Sequence, residues 1–101
     1  MTRFLLTVLT IGLMSFSVPA YAAGDAAAGK AKSASCAMCH GPNGEGTQMA
    51  PKLAGKAAPQ LDQAMQDYKA GKKDNAMMKS ATASLSADDM ANLAAYYASL
   101  K

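Results

Sequence analysis

Cys36-Ala37-Met38-Cys39-His40 is the stretch on which the reading of this chain turns. Two thiols three residues apart lie on one side of a helical turn, and an imidazole follows at once. Four chemistries share the C-x-x-C spacing. A thioredoxin-like dithiol wants a βαβ setting. A structural zinc ion wants four ligands, and two Cys with one His leave it short. A disulfide across two residues closes too small a loop to stabilise a domain much. The fourth is covalent haem attachment, for which C-x-x-C-H is the pattern. There each thiol forms a thioether with a haem vinyl group, the turn is tethered against one face of the ring, and His40 falls where its imidazole can ligate the iron.

Upstream, Met1-Thr2-Arg3 supplies a short positive start, and Phe4 to Phe16 is almost wholly apolar. Pro19 and the small-x-small triplet Ala20-Tyr21-Ala22 follow. This is the layout of a secretory signal peptide over residues 1–22, cleaved after Ala22, with one domain over 23–101. The rival is an uncleaved membrane anchor, since no charge falls between Arg3 and Asp25. The apolar run is shorter than the roughly 20 residues a spanning helix needs. An exported product is expected in the periplasm, and covalent haem attachment in bacteria is an extracytoplasmic process.

The domain that remains is poor in large apolar residues. Its aromatics are Tyr68, Tyr96 and Tyr97, and its aliphatics are mostly Ala. A core of this size supplies about 3–5 kcal/mol at most and usually needs a staple. Alanine buries little area, and burial stabilises by roughly 25 cal/mol per Å². A large apolar body from outside the chain is therefore expected at its centre. The nine Lys against seven acids of the domain are too even a balance for nucleic acid. Lys52, Lys56, Lys69, Lys72, Lys73 and Lys79 cluster, either as ordinary solvated surface or as a positive rim that steers an acidic redox partner.

The pattern is all-α. Two Thr are the only β-branched residues of the domain, which argues against a sheet. A first helix is predicted from about Asp25, as N-cap, to Ser35, with Cys36–His40 finishing it or following at once. Gly29 weakens that helix and is the residue type of a close helix crossing. Gly41 to Gly55 reads as loop. Pro59 opens a second helix, Leu61, Ala64, Met65 and Tyr68 form one apolar stripe, and Gly71 ends it. A short helical piece follows Asn75. Ser86 caps the last helix with Asp89 three residues on, and Met90, Leu93, Ala94 and Tyr97 are its buried stripe, with Lys101 at its favourable end.

His40 is the chain's single His, so the other axial ligand is expected to be Met, which raises the reduction potential. Met38 lies inside the attachment turn, on the wrong face. Met65 and Met90 belong to core stripes. Met49 sits in a loop committed to the His side. Met77 and Met78 remain. Being adjacent they point about 100° apart on a helix, so at most one faces the iron.

With these residues in view the sequence resembles a class I bacterial cytochrome c, most like one domain of the cytochrome c4 group and its monohaem relatives. The resemblance spans nearly all of residues 23–101. Gly24-Asp25 and Gly29-Lys30 are similar to the family's opening, and Cys36 to His40 with Gly41, Asn43-Gly44 and Gly46 to its haem loop. Pro51 to Gly55 resembles its proline loop, and Ala70-Gly71, Leu85-Ser86 and Ala94-Ala95-Tyr96 its later landmarks. It implies a small fold of three to four helices around one covalent haem c. It also implies Met78 as the sixth ligand, seven residues before Leu85, and a Pro51 carbonyl that accepts a hydrogen bond from the His40 ring. Gln60 departs from the pattern, standing where the group usually carries an aromatic.

The implied function is single-electron transport by a monomer or weak dimer, not an enzyme. The expected partners are redox proteins: a quinol-oxidising complex, met in transient contact with the membrane, a terminal oxidase or a periplasmic reductase. A haem peroxidase and a small-gas sensor are the rival classes. Both need an open or labile iron site, and fast CO binding to the reduced protein would mark them.

Overall fold

The computed structural model describes residues 24–100. The predicted signal peptide over 1–22, its cleavage point and Lys101 lie outside them. Among the described residues there are five helices and no strand: α1 (Ala26–Lys32), α2 (Ala34–His40), α3 (Ala58–Ala70), α4 (Ala76–Thr82) and α5 (Ala87–Ser99). None is long and apolar enough to cross a membrane.

The fifth helix comes from a break in the first predicted one. Ser33 turns both its backbone N–H, at 3.2 Å, and its hydroxyl, at 2.7 Å, onto the carbonyl of Lys30. The α-helical ladder slips to an i→i+3 bond there, and α2 starts afresh when Ala37 N–H bonds to Ser33 O. Asp25 caps α1 through its side chain as predicted, accepting from Ala27 N at 2.9 Å.

α5 is the hub. Its start is fixed by a reciprocal capping box: Asp89 N–H donates to Ser86 Oγ and Ser86 N–H donates to Asp89 Oδ2, both at 3.0 Å. Met90, Leu93, Ala94, Tyr96 and Tyr97 are its buried residues. With Leu61 of α3 they make up the buried apolar core among the described residues. Leu93 is fully enclosed, worth about 1.5–3 kcal/mol for the side chain.

α5 packs against α1 on one side and α3 on another, and α4 leans on α3. The α1–α5 crossing is tight at Gly29, where a Cβ atom would stand 2.0 Å from Asn92 O. The same crossing is tied by Asp25 N–H donating to Asn92 Oδ1 at 2.7 Å. α3 has Pro59 in its first turn and ends at Gly71, whose φ of 78° gives the left-handed cap. Its predicted stripe divides: Leu61 is core, whereas Ala64, Met65 and Tyr68 are half-buried and face a cleft.

Candidate functional site

α2 brings Cys36, Cys39 and His40 to one wall of that cleft. Both cysteines are half-buried and neither is in a disulfide. His40 is the last residue of α2 and is buried. Its Nδ1 stands 2.7 Å from Pro51 O. A carbonyl oxygen can only accept, so Nδ1 carries the proton and Nε2 is left with its lone pair for a metal. The bond also locks the ring's rotation.

Pro51 is eleven residues beyond His40, and the loop between is folded back by its own backbone bonds. Gly46 N–H donates to His40 O at 2.8 Å, and Leu53 and Ala54 N–H both donate to Gly44 O, at 2.8 and 3.0 Å. Thr47 Oγ1 donates to Cys39 O. Gly44 has φ +65°, and a Cβ there would meet the Tyr97 ring at 2.6 Å. Only glycine lets this turn lie on that ring.

α4 supplies the methionines. Asn75 Oδ1 accepts from the N–H groups of both Met77, at 3.1 Å, and Met78, at 3.0 Å, and so fixes the first turn. Thr82 Oγ1 donates to Met78 O at 2.7 Å from one turn on. Both methionines line the cleft, but Met77 is 71 % exposed and Met78 is half-buried. Met49 lines the cleft too and is as exposed as Met77; Met38 points to solvent and takes no part in the lining. Met90 is core, as the sequence implies, whereas Met65 both packs on the core and lines the cleft.

The cleft has a volume of about 800 Å³, in the range of small-molecule and cofactor sites of about 300–1,000 Å³. Cys36, Cys39, His40, Pro51 and Met78 all line it, together with Leu53, Leu61, Met65, Leu85 and Tyr97. Mostly apolar walls, two free thiols on one turn, a ring nitrogen held open and a thioether from another helix form the donor set for a flat apolar group bearing iron. The polar groups match as well. Burial pushes the Cys36 thiol above its ordinary value, and the side chains of Ser35 and Tyr97 pull it part of the way back. Burial likewise raises the Tyr97 phenol, with Cys36 alongside adding to the effect.

The sequence over residues 26–101 matches the family model for cytochrome c. The chain belongs to the cytochrome c family. It is 45 % identical over 95 residues to a cytochrome c4 of Pseudomonas aeruginosa, covering 93 % of this chain and 46 % of that one. It is 44 % identical over 91 residues to cytochrome c-554(547) of Halothiobacillus neapolitanus, covering 78 % of this chain and all of that one. Among solved structures it is similar to a cytochrome c4 of Acidithiobacillus ferrooxidans, with a TM-score of 0.72 and 28 % identity over 74 % of this chain and 49 % of that chain. The chain spans about half the length of the cytochromes c4 it matches. The fold is the small all-α class I cytochrome c fold implied by the haem loop, with five helices in place of three to four. Haem c is the cofactor of this family, and the cleft fits it.

Two features of the site escaped the sequence reading. Tyr97 counts there only as part of the α5 stripe, yet its ring underlies Gly44 and its hydroxyl lies beside Cys36 and Ser33. A tyrosine on a buried stripe, where phenylalanine or leucine would pack as well, is the available signal. The Ser33 break, which brings a buried hydroxyl to the foot of the haem turn, has no signal in the periodicity.

Proposed function

We propose that the chain carries single electrons in the periplasm, with haem c bound through Cys36 and Cys39 and its iron between His40 and Met78. The haem supplies an iron that accepts and releases one electron. The chain's own residues do the rest. Pro51 O holds the His40 proton on Nδ1 and aims Nε2 into the cleft. Asn75 and Thr82 grip the Met78 backbone from both ends, so the thioether is presented from a fixed turn. With imidazole and thioether both committed, the residues leave no open coordination position for a substrate. That favours a carrier over a peroxidase or a gas sensor. The observation that carries this reading is the convergence of Cys36, Cys39, a Pro51-oriented His40 and Met78 on one apolar cleft.

Redox partners meet such a carrier in brief, small-area encounters. A quinol-oxidising membrane complex, a terminal oxidase and a periplasmic reductase are the partner classes, and the carrier works as a monomer or weak dimer. Lys52, Lys56, Lys69, Lys72, Lys73 and Lys79 are all exposed, and Lys56 and Lys73 border the cleft. They supply the positive rim for an acidic partner.

The test is Met78→Ala in protein made by cells competent in cytochrome maturation. Mass spectrometry should show the haem still attached, while the far-red band of sulfur ligation in oxidised protein disappears and reduced protein binds CO rapidly. An unchanged spectrum and potential would remove Met78 as the ligand. A colourless wild-type product with the mass of its amino acids alone would end the haem reading.

A further inference from the structure

Tyr97 Oη is buried, and among the described residues it has no hydrogen-bond partner. Cys36 packs against the core cluster that holds Tyr97, and the hydroxyl lies within reach of Cys36 and Ser33 with no well-formed bond to either. A buried hydroxyl left unsatisfied costs about 1–3 kcal/mol, and phenylalanine would fill the same space without that cost. The hydroxyl therefore calls for an acceptor, and the Cys36 sulfur and the Ser33 hydroxyl are the two beside it.

Haem attachment fixes which way a bond at Cys36 can run. As the thiol adds across a vinyl group, a sulfur–carbon bond forms, the sulfur's hydrogen ends on the vinyl's terminal carbon, and no electron is gained or lost. The thioether sulfur keeps its lone pairs and has no proton, so it can accept and cannot donate. Its neighbour Tyr97 has a proton to give. The Tyr97 ring is held in place for this by Gly44 beneath it and by Tyr96, whose ring centroid is 5.1 Å away.

We propose that Tyr97 is a positioning residue for the haem: its hydroxyl donates a hydrogen bond to the Cys36 sulfur once the thioether is made, and fixes that sulfur at the cleft wall. The proposal rests on haem attachment at Cys36. A donor on the sulfur withdraws electron density from the ring's substituent and favours the reduced state, as hydrogen bonds around a metal group do.

The experiment is Tyr97→Phe in the haem-loaded full chain, a change that keeps the ring and removes only the hydroxyl. The carbon–sulfur stretching band of the Cys36 thioether should move, the reduction potential should fall, and the unfolding equilibrium constant should rise about fivefold. An unmoved carbon–sulfur band overturns the proposal whatever the stability, and a stability equal to or above wild type shows an orphan hydroxyl and overturns it too. Ser33 is the competing acceptor, so the substitution is repeated in Cys36→Ala, tethered through Cys39, and in Ser33→Ala. The cost should vanish in the first and persist in the second; the reverse assigns the hydroxyl to Ser33 and overturns the proposal. Where Cys36→Ala fails to load haem, the band shift in Tyr97→Phe decides alone. Mass spectrometry of the wild type separates the two levels of inference: no covalent haem there defeats attachment itself, not merely the role of Tyr97.

Discussion

Replacing Gly29 with alanine puts a methyl group where α5 already has backbone. Its Cβ would stand 2.0 Å from Asn92 O, 2.5 Å from Asn92 C and 2.8 Å from Tyr96 Cβ. Ordinary carbon contacts are about 3.5 Å, so α1 and α5 must part by roughly 1.5 Å. The obstructing atoms belong mainly to the α5 backbone, and no side-chain rotation relieves them. Overpacking of this kind costs about 1–3 kcal/mol, here at the upper end. The separation also takes the 2.7 Å bond from Asp25 N–H to Asn92 Oδ1 out of range, at about 1 kcal/mol. Against this, alanine in a helix interior gains about 1 kcal/mol over glycine. The net destabilisation is about 2–3 kcal/mol. For a domain of this size each kcal/mol lowers the melting temperature by roughly 4–8 °C, so a drop of about 10–20 °C is expected. Thermal melting of the haem-loaded protein, followed by far-UV circular dichroism, measures it. A melting temperature within a few degrees of wild type, or above it, would show that the helices part freely and that the crossing is not a tight contact.

Three further outcomes follow from the same structure. Ser86→Ala removes half of the α5 capping box and should cost about 1 kcal/mol in a denaturant titration, while Ser86→Thr should cost much less. Asp89 is held below the usual carboxylate range, first by the Ser86 backbone N–H and then by the Ser86 and Lys32 side chains. Its lowered folded-state value means that its contribution is full above the ordinary carboxylate value of about 3.9 and is lost as pH falls through the lowered one; acid titration of Asp89→Asn should show a shallower loss of stability over that window. High salt should slow reduction of the protein by an acidic redox partner, and a rate that stays flat with ionic strength would remove the lysine rim.

Much of the site could be read along the chain because its determinants are short-range. The C-x-x-C-H turn needs only five consecutive residues. The Ser86–Asp89 cap and the Gly71 stop act within one turn of the helix ends they define. The α5 stripe is a 3.6-residue period, and it is buried as that period requires. The haem loop, proline loop and late helix together were enough to indicate the family. Where periodicity misled, one face had two environments: Leu61 and Met65 share a stripe, yet Leu61 is buried in the core and Met65 lines the cleft.

From the sequence alone come the attachment motif, the all-α class, the helix ends and a shortage of apolar bulk that an outside group must make good, since each is a local or compositional property. The tertiary structure decided the rest. It folds eleven residues back so that Pro51 meets His40, turns Met78 rather than its neighbour toward the interior, breaks the first helix at Ser33 and sets the Tyr97 hydroxyl beside Cys36. Those outcomes depend on where whole elements lie against one another, and contacts between residues far apart in the chain are set by packing, not by spacing.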